Sequence, residues 1–407
     1  MFAAIVAALA AALAMAPVAA RGCGHQPYSR RMLDSIKLRQ QGVISSGAAS
    51  STLENGILAL AMHETLAQYP DAPSRDDDGR YLVGVLDSAS RPYTNATWAA
   101  TRPLDRFSLA TGIERAVSSG LPVTPASTTA YEAINASLAL QRRNPDSGLW
   151  YFVYTEWSYL DGMVSLLPFM AGAAHPNETD MRLQVQLLED HCRRPDGGPP
   201  LLVHGYDWSR KAVWANNMTG ASPYVWGRSL GWFLAGMVQT YERYDCGAGS
   251  SSSDKPYRPL CSQVRNVTVQ IVDALVDLAD GETGAWWQLP TFPRRAGNYL
   301  ESSSTVLFIF SILKGLRLGL VSDGPKGLQK AALRAYEYTT RAFVTDVGKG
   351  NGTIGFDKTV AVCSLNSTAT YEYYTSRPIL PDSLLGESTF ILAALEVERL
   401  NGHKRWQ

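Results

Sequence analysis

The feature that most constrains this chain is a loop-and-helix unit that occurs twice. In the first copy Gly-Leu-Trp-Tyr at 148–151 leads to Tyr-Leu-Asp at 159–161, and in the second Gly-Ala-Trp-Trp at 284–287 leads to Tyr-Leu-Glu at 299–301. Each copy follows one apolar helical segment and opens another. Repeated helical hairpins cannot bury their apolar faces alone, so they must stack or close on one another. The repeat therefore predicts an all-α protein.

Apolar residues recur at helical spacing along most of the chain. The segments with this period are 53–66, 104–116, 131–140, 160–170, 226–241, 264–278, 300–318, 328–343 and 384–395. Gly, Pro and Asn clusters separate them, and no comparable set of alternating strands occurs. We predict closure into an α/α toroid. Such a ring places the loops that precede its inner helices around one mouth, where their acids and aromatic residues should converge.

The charge balance limits the kind of partner. The 407 residues contain 37 Lys and Arg against 37 Asp and Glu, without a basic run. Because nucleic acids and anionic membranes bind through clustered Lys and Arg, neither is an expected partner. The His and Cys residues form no metal-binding pattern, and no cofactor is expected. We expect a monomer that binds a small or neutral ligand.

The first twenty residues are typical of a secretory signal. Residues 1–20 are almost wholly apolar, and Val18-Ala19-Ala20 provides the small residues that signal peptidase reads. Cleavage there leaves 21–407 as one domain without a membrane anchor. An uncleaved anchor is the alternative, since a positively charged start is missing. Seven Asn-x-Ser/Thr sequons also favour an extracellular glycoprotein; they lie at Asn95, Asn135, Asn177, Asn217, Asn266, Asn351 and Asn366.

Five cysteines are too few to build a disulfide scaffold for a chain of this length. Cys246 and Cys261 flank a Gly- and Ser-rich loop, so a disulfide between them would stabilise the fold by about 3 kcal/mol. We predict that disulfide. The pairing of Cys23, Cys192 and Cys363 stays open, and the odd count leaves one thiol unpaired.

Asp161 is the candidate catalytic acid. Aromatic residues precede it at 150, 151, 157 and 159, and apolar walls disfavour the charged form of a carboxyl, which suits proton donation. The alternative is a structural Asp that caps a helix or lies in its first turn. The aromatic residues are equally compatible with a core and with a surface that stacks on sugar rings.

The densest polar and aromatic segment is 204–232. Arg228 and Trp232 share a helix face, where the guanidinium can grip a carboxylate; the alternative is an Arg stacked on Trp for packing. Gly-Arg-Ser-Leu-Gly at 227–231 also fits the nucleophile elbow of serine esterases around Ser229. An elbow follows a strand, whereas Pro223 and the apolar residues after it open a helix. The esterase is therefore the least favoured interpretation.

Several of these segments together resemble glycoside hydrolase family 105, the unsaturated rhamnogalacturonyl hydrolases. The similar segments follow the family's order and are 157–169, 204–207, 226–232, 298–303, 371–374 and 382–386. The resemblance implies an (α/α)6 barrel and a substrate with a 4,5-unsaturated uronic acid at its non-reducing end. It also implies hydration of a vinyl ether: an acid protonates C4, water adds at C5, and the ring opens and expels the rest of the chain.

The resemblance also assigns roles to single residues. Asp161 matches the catalytic Asp, which donates a proton and then deprotonates water, and Asp105 matches a second Asp that binds the sugar. The positions that line the substrate pocket are matched by Tyr159, His204, Trp226, Arg228 and Trp232. Arg228 is the candidate for binding the uronate carboxylate. Tyr151 stands where some bacterial members have His.

The predicted function is that of a secreted, fungal-type hydrolase acting on pectin fragments that polysaccharide lyases release from rhamnogalacturonan. An unsaturated glucuronyl hydrolase is the alternative among enzymes. A carbohydrate-binding barrel without catalysis is the alternative from another class of protein.

Overall fold

The computed structural model describes residues 26–194, 196–247, 258–348, 350 and 352–402. The predicted signal, Cys23 and the sequon at Asn351 lie outside the described residues. The described chain contains 14 α-helices and two pairs of short strands.

The helices and strands follow in chain order. The first eight helices are α1 (Tyr28–Leu38), α2 (Ser51–Gln68), α3 (Arg75–Ser90), α4 (Ala96–Ala99), α5 (Arg106–Ser118), α6 (Pro125–Ser137), α7 (Met163–Ala171) and α8 (Glu178–Cys192). The other six are α9 (Gly227–Arg243), α10 (Pro259–Asp277), α11 (Ser302–Arg317), α12 (Leu328–Ala342), α13 (Tyr371–Thr375) and α14 (Leu384–Leu400). Antiparallel pairs join β1 (Trp157–Tyr159) to β2 (Gly205–Asp207) and β3 (Val344–Asp346) to β4 (Ile354–Phe356).

Six helices form a closed inner ring. In order around it, α2 packs on α5, α5 on α7, α7 on α9, α9 on α11, α11 on α14, and α14 on α2. The other long helices pack outside: α3 on α2, α6 on α5, α8 on α7, α10 on α9, α12 on α11, and α1 on α14. Inner and outer helices alternate along the chain. This arrangement confirms the predicted (α/α)6 barrel.

Burial explains which helices are inner and which are outer. Every residue of α7 is buried, as is every residue of α9 from Gly227 to Tyr241. The outer helix α12 buries a single stripe, formed by Leu328, Ala332, Ala335 and Thr339. A helix that is contacted all round is apolar all round, whereas a helix at the surface needs one apolar face. The long helices that the apolar period did not single out, α1, α3 and α8, are outer helices with largely polar surfaces.

All six inner helices run in the same direction, because an outer helix returns the chain between each of them and the next. Their N-terminal ends form one opening of the barrel, where Asp105 and Asp161 lie; we call this end the mouth. Their C-terminal ends form the opposite end, where Glu64, Lys314 and Glu396 lie; we call this end the base. Helix N-termini carry positive partial charge, so the mouth favours anions.

The structure contains the predicted disulfide between Cys246 and Cys261, whose Cα atoms are 5.5 Å apart. It connects the chain just after α9 to α10. Cys192 and Cys363 are buried free thiols. In the described residues, no helix has the length and apolar character needed to cross a membrane.

Candidate active site

Asp161 lies at the mouth on a 3₁₀ turn, Leu160–Gly162, which joins β1 to α7. The backbone N–H of Leu160 donates to the carbonyl of His204 at 3.1 Å, and the pairing of β1 with β2 holds the segment before it. The Asp161 side chain is 11% exposed. Among the described residues no side chain caps this turn or α7, so Asp161 is not a helix cap, but it does lie in the first turn of the 3₁₀ helix.

Two side chains contact the Asp161 carboxylate, and both contact Oδ2. The Ser229 hydroxyl donates a hydrogen bond to it, and Nε2 of His204 lies 3.2 Å away. Nδ1 of His204 is 2.8 Å from the Tyr374 hydroxyl, whereas Nε2 makes no hydrogen bond within the described chain, so the imidazole is held through Nδ1. No described residue makes a hydrogen bond to Oδ1. One oxygen is therefore fixed from the interior while the other is free to meet a ligand.

Asp105 is a second buried carboxyl at the mouth, directly before α5. The Tyr151 hydroxyl lies 3.0 Å from its Oδ1 and 2.9 Å from its Oδ2. Burial raises the pKa of Asp105 to about 7; the nearby Asp161 also raises it, whereas Tyr151 and Arg106 lower it. A carboxyl that keeps its proton near neutral pH can donate a hydrogen bond to a sugar hydroxyl.

An aromatic wall, formed by Tyr151, Tyr154, Trp157 and Tyr159, stands beside the two carboxyls. Tyr151 stacks on Tyr159 with ring centroids 4.5 Å apart and an interplanar angle of 12°. Tyr154 packs on Trp157 at 5.2 Å. All but Tyr159 are partly exposed. Flat rings with one open face suit the apolar face of a sugar ring.

Tyr159, the buried member of the wall, forms one buried cluster with His204 and Trp226. The ring centroids of Tyr159 and His204 are 5.3 Å apart, and those of His204 and Trp226 are 4.7 Å apart. Trp232 does not belong to this cluster. It lies deeper along α9, and its side chain is buried in the main apolar core of the barrel.

Arg228 is fully buried, and its guanidinium lies 4.8 Å above the ring of Trp226 rather than against Trp232. Its Nη1 donates to the carbonyl of Val360, and its Nη2 donates to the carbonyl of Ala361 at 3.0 Å. Arg228 therefore anchors the loop between β4 and α13 at the mouth. Its contact with a uronate carboxylate remains a prediction.

The carboxylates at the base have different surroundings. Glu64 lies 3.1 Å from both Arg115 and Arg399, and 3.9 Å from Lys314. Burial alone would raise the pKa of Glu64, but the three cations together hold it well below its usual range. Within the described chain, Asp161 has no Lys or Arg ion pair. Asp161 at the mouth thus lacks the cations that surround Glu64 at the base, which makes it the better candidate for chemistry.

Ser229 and Tyr374 are site residues without a role in the sequence-based assignment. Tyr374 belongs to the 371–374 segment that carried the family resemblance, but its contact with His204 spans 170 residues. In the sequence, Ser229 stands out only as an esterase nucleophile. It lies inside the first turn of α9 and is fully buried, whereas an elbow Ser is exposed after a strand.

In the described ranges, no three His, Cys, Asp or Glu residues are grouped as a metal ion would require. We therefore assign no metal ligands at the mouth.

Comparison with known proteins places the chain in a family. The model of Glycosyl Hydrolase Family 88 matches residues 124–401, a span that includes Asp161, His204 and Ser229. The 24.9 kDa protein in the picA locus of Rhizobium radiobacter is 28% identical over 234 residues, which cover 52% of this chain and 91% of that protein.

Solved structures share the fold. A family 105 glycoside hydrolase from C. acetobutylicum ATCC 824 superposes with a TM-score of 0.77 at 23% identity, covering 92% of this chain and 100% of that one. The unsaturated glucuronyl hydrolase of Bacillus sp. GL1 superposes with a TM-score of 0.59 at 10% identity, covering 91% and 95%. The fold expected from the resemblance to family 105 is thereby confirmed. The chain belongs to glycosyl hydrolase family 88 and has the helical barrel of the family 105 enzymes.

Proposed function

We propose that this protein is an unsaturated uronyl hydrolase, which removes a 4,5-unsaturated uronic acid from the non-reducing end of an oligosaccharide. The observation that carries the proposal is the Asp161 carboxyl at the mouth. It is slightly exposed, hydrogen-bonded to Ser229 and in contact with His204 through Oδ2 alone, and bordered by the aromatic wall. This geometry suits a group that gives a proton to a ligand and then takes one back.

The reaction is a hydration followed by ring opening. Asp161 donates its proton to C4 of the vinyl ether, and the ring oxygen stabilises the cation that forms at C5. Water adds at C5 and gives a proton to the Asp161 carboxylate, which restores the acid. The resulting hemiketal opens, the bond to the leaving sugar breaks, and one water is consumed for each uronate released.

Asp105 and Tyr151 are suited to hold the uronate ring. Burial and the neighbouring Asp105 keep the pKa of Tyr151 well above its usual range, so its hydroxyl remains a donor. Two groups that can carry a proton near neutral pH therefore lie close to the acid. The positive ends of six inner helices at the mouth favour the carboxylate of the uronate.

For the leaving sugar, a neutral residue such as the rhamnose of rhamnogalacturonan is the proposed partner. Tyr154 and Trp157, two of the partly exposed residues of the aromatic wall, are uncharged and offer apolar contact area. The motif resemblance to the rhamnogalacturonyl hydrolases supports the same assignment. A glucuronyl substrate is the alternative, because the unsaturated glucuronyl hydrolase of Bacillus sp. GL1 has the same fold.

The test follows the absorbance of the unsaturated uronate, which disappears on hydration. Wild-type protein and Asp161→Asn are mixed with an unsaturated galacturonyl-rhamnose disaccharide and, separately, with an unsaturated glucuronyl disaccharide. Loss of absorbance with the first substrate and wild-type protein alone supports the proposal. Loss with the second alone changes the substrate class. Binding without loss of either signal would identify a carbohydrate-binding barrel.

Secretion and glycosylation are part of the proposal. The sequon asparagines in the described residues are all exposed, which glycan attachment requires: Asn95, Asn135, Asn177, Asn217, Asn266 and Asn366. Expression in a eukaryotic secretory host should release a chain that begins at Arg21 and loses mass on glycosidase treatment. A product retained in the cell, or one of unchanged mass, would contradict this part.

A further inference from the structure

Helix packing explains the two glycines of the Gly-Arg-Ser-Leu-Gly segment at the start of α9, but it does not explain Ser229 between them. A Cβ on Gly227 would lie 2.9 Å from Cβ of Ser304, and one on Gly231 would lie 2.8 Å from Cβ of Leu307. Both glycines therefore allow α9 to approach α11 closely. Ser229 is two residues from each, about 200° around the helix from Gly227, and so it faces the opposite neighbour, α7.

On that side the Ser229 hydroxyl has two acceptors within reach. It donates to Oδ2 of Asp161, and the carbonyl oxygen of His204 is 3.3 Å away. Ser229 is 0% exposed, so water does not compete for this contact. The hydroxyl is therefore a fixed donor aimed at one oxygen of the candidate acid.

We propose that Ser229 is a positioning residue for Asp161: it holds Oδ2, so that Oδ1 faces the substrate and carries the transferred proton. This inference rests on the proposed function and adds a residue to it. A hydrogen bond to a carboxylate is stronger than one to a neutral carboxyl. Ser229 thus stabilises the charged Asp161 that forms when the proton leaves for C4. It also keeps the carboxyl from rotating between proton donation and proton recovery.

The test compares Ser229→Ala with Ser165→Ala. Ser165 is also a buried serine beside the site, on α7, but its hydroxyl has no hydrogen-bond partner among the described residues. For Ser229→Ala we expect kcat to fall about 10- to 100-fold, the loss of one hydrogen bond to a charged group, with KM unchanged. For Ser165→Ala we expect wild-type kcat and KM.

A pH profile separates positioning from a general structural effect. If Ser229 acts on the reacting carboxyl, the pH profile of kcat should change in Ser229→Ala, whereas a loss of packing alone would leave that profile as in wild type. Thermal unfolding checks that the variant is folded. If Ser229→Ala does not fold, kcat, KM and the pH profile are measured on Ser229→Cys, whose thiol is only a weak donor.

The outcomes distinguish this inference from the proposed function. If the wild-type protein hydrates neither disaccharide, the proposed function fails and the role of Ser229 with it. If the wild-type protein is active and folded Ser229→Ala keeps both its kcat and its pH profile, Ser229 has no positioning role and the proposed function stands.

Discussion

The two copies of the loop-and-helix unit use their acids differently. Asp161 in the first copy is 11% exposed and has contacts on one oxygen only, from Ser229 and His204. Glu301 in the second copy is 0% exposed and accepts four hydrogen bonds. The donors are the hydroxyls of Ser303 and Ser304 and the backbone N–H groups of Ser304 and Val360, at 2.7 to 3.0 Å.

The residues that follow each acid explain the difference. Glu301 precedes Ser302-Ser303-Ser304, which supplies local donors, and Glu301 caps α11 through the N–H of Ser304. Gly162-Met163-Val164 follows Asp161 and has no side-chain donor to offer. A carboxylate whose acceptor positions are all occupied is structural, whereas one with a free oxygen can react. The shared Tyr-Leu-acid motif therefore determines that an acid lies at the mouth, but it does not determine whether that acid is catalytic or structural.

The largest expected effect comes from removing the free acid. Asp161→Asn keeps the shape of the side chain and its contact with Ser229 but cannot donate the proton, so kcat should fall by about 10²- to 10⁴-fold. Stopped assays on the preferred disaccharide measure this, with binding of the substrate as the control. Wild-type turnover in the variant would show that Asp161, like Glu301, has a structural role only, and the proposed difference between the two acids would be wrong.

Glu301→Gln tests the other half of the comparison. The amide nitrogen of the variant is a donor, and it faces the N–H and O–H donors that now bind the Glu301 carboxylate. These buried donors lose their acceptor, so the free energy of unfolding should fall by about 2 to 3 kcal/mol. We expect kcat and its pH profile to remain close to wild type at temperatures where the variant is folded. Denaturant unfolding provides the measurement. A shifted pH profile with unchanged stability would show that Glu301 belongs to the chemistry.

The stability of the protein should also depend on Asp105. Its pKa is about 7 when folded, above the value of about 4 for an unfolded chain, so the folded state binds the extra proton between these pH values. Stability contributed by this proton is fully present below pH ~4 and is lost as the pH rises to about 7. Relative to wild type, Asp105→Asn should therefore be more stable at pH 8 than at pH 4. We expect the difference in free energy of unfolding between variant and wild type to change by roughly 2 to 4 kcal/mol between these two pH values. Unfolding curves at both pH values measure this difference, and an equal difference at both would contradict it.

The smallest expected effect is that of Tyr151→Phe. The variant keeps the stacked ring but removes the hydroxyl that contacts Asp105 and, in the proposed function, the uronate. We expect KM to rise about tenfold, the loss of one hydrogen bond, with kcat within a few fold of wild type. Steady-state kinetics on the unsaturated disaccharide give both values. A loss in kcat with unchanged KM would assign Tyr151 to the transition state instead.

Much of the barrel and the position of its acid followed from local patterns. The helical spacing of apolar residues predicted nine helices, and the repeated loop-and-helix unit predicted a ring with acids at one end. The period did not single out α3, which begins with Arg75 and three aspartates and buries a narrow face. An outer helix has a weak apolar signal because most of its surface meets water.

The roles of Arg228, Trp232 and Ser229 depended on contacts between distant segments. Spacing along α9 placed Arg228 beside Trp232, but in the fold the guanidinium lies over Trp226 and donates to carbonyls more than 130 residues away. The Ser229 hydroxyl meets Asp161 across 68 residues. Local periodicity gives the face of a helix, but it does not say which neighbour that face meets.

By itself, the sequence determined the helical class, the repeated unit, the disulfide across the Gly- and Ser-rich loop, and the placement of acids before inner helices. These follow from local spacing and composition, which act within a few turns of the chain. Only the tertiary structure decided that Asp161 keeps a free oxygen while Glu301 does not, and that Asp105 meets Tyr151. Hydrogen-bond saturation and burial depend on which groups the closed ring brings within 3 Å, and ring closure is a property of all six hairpins together.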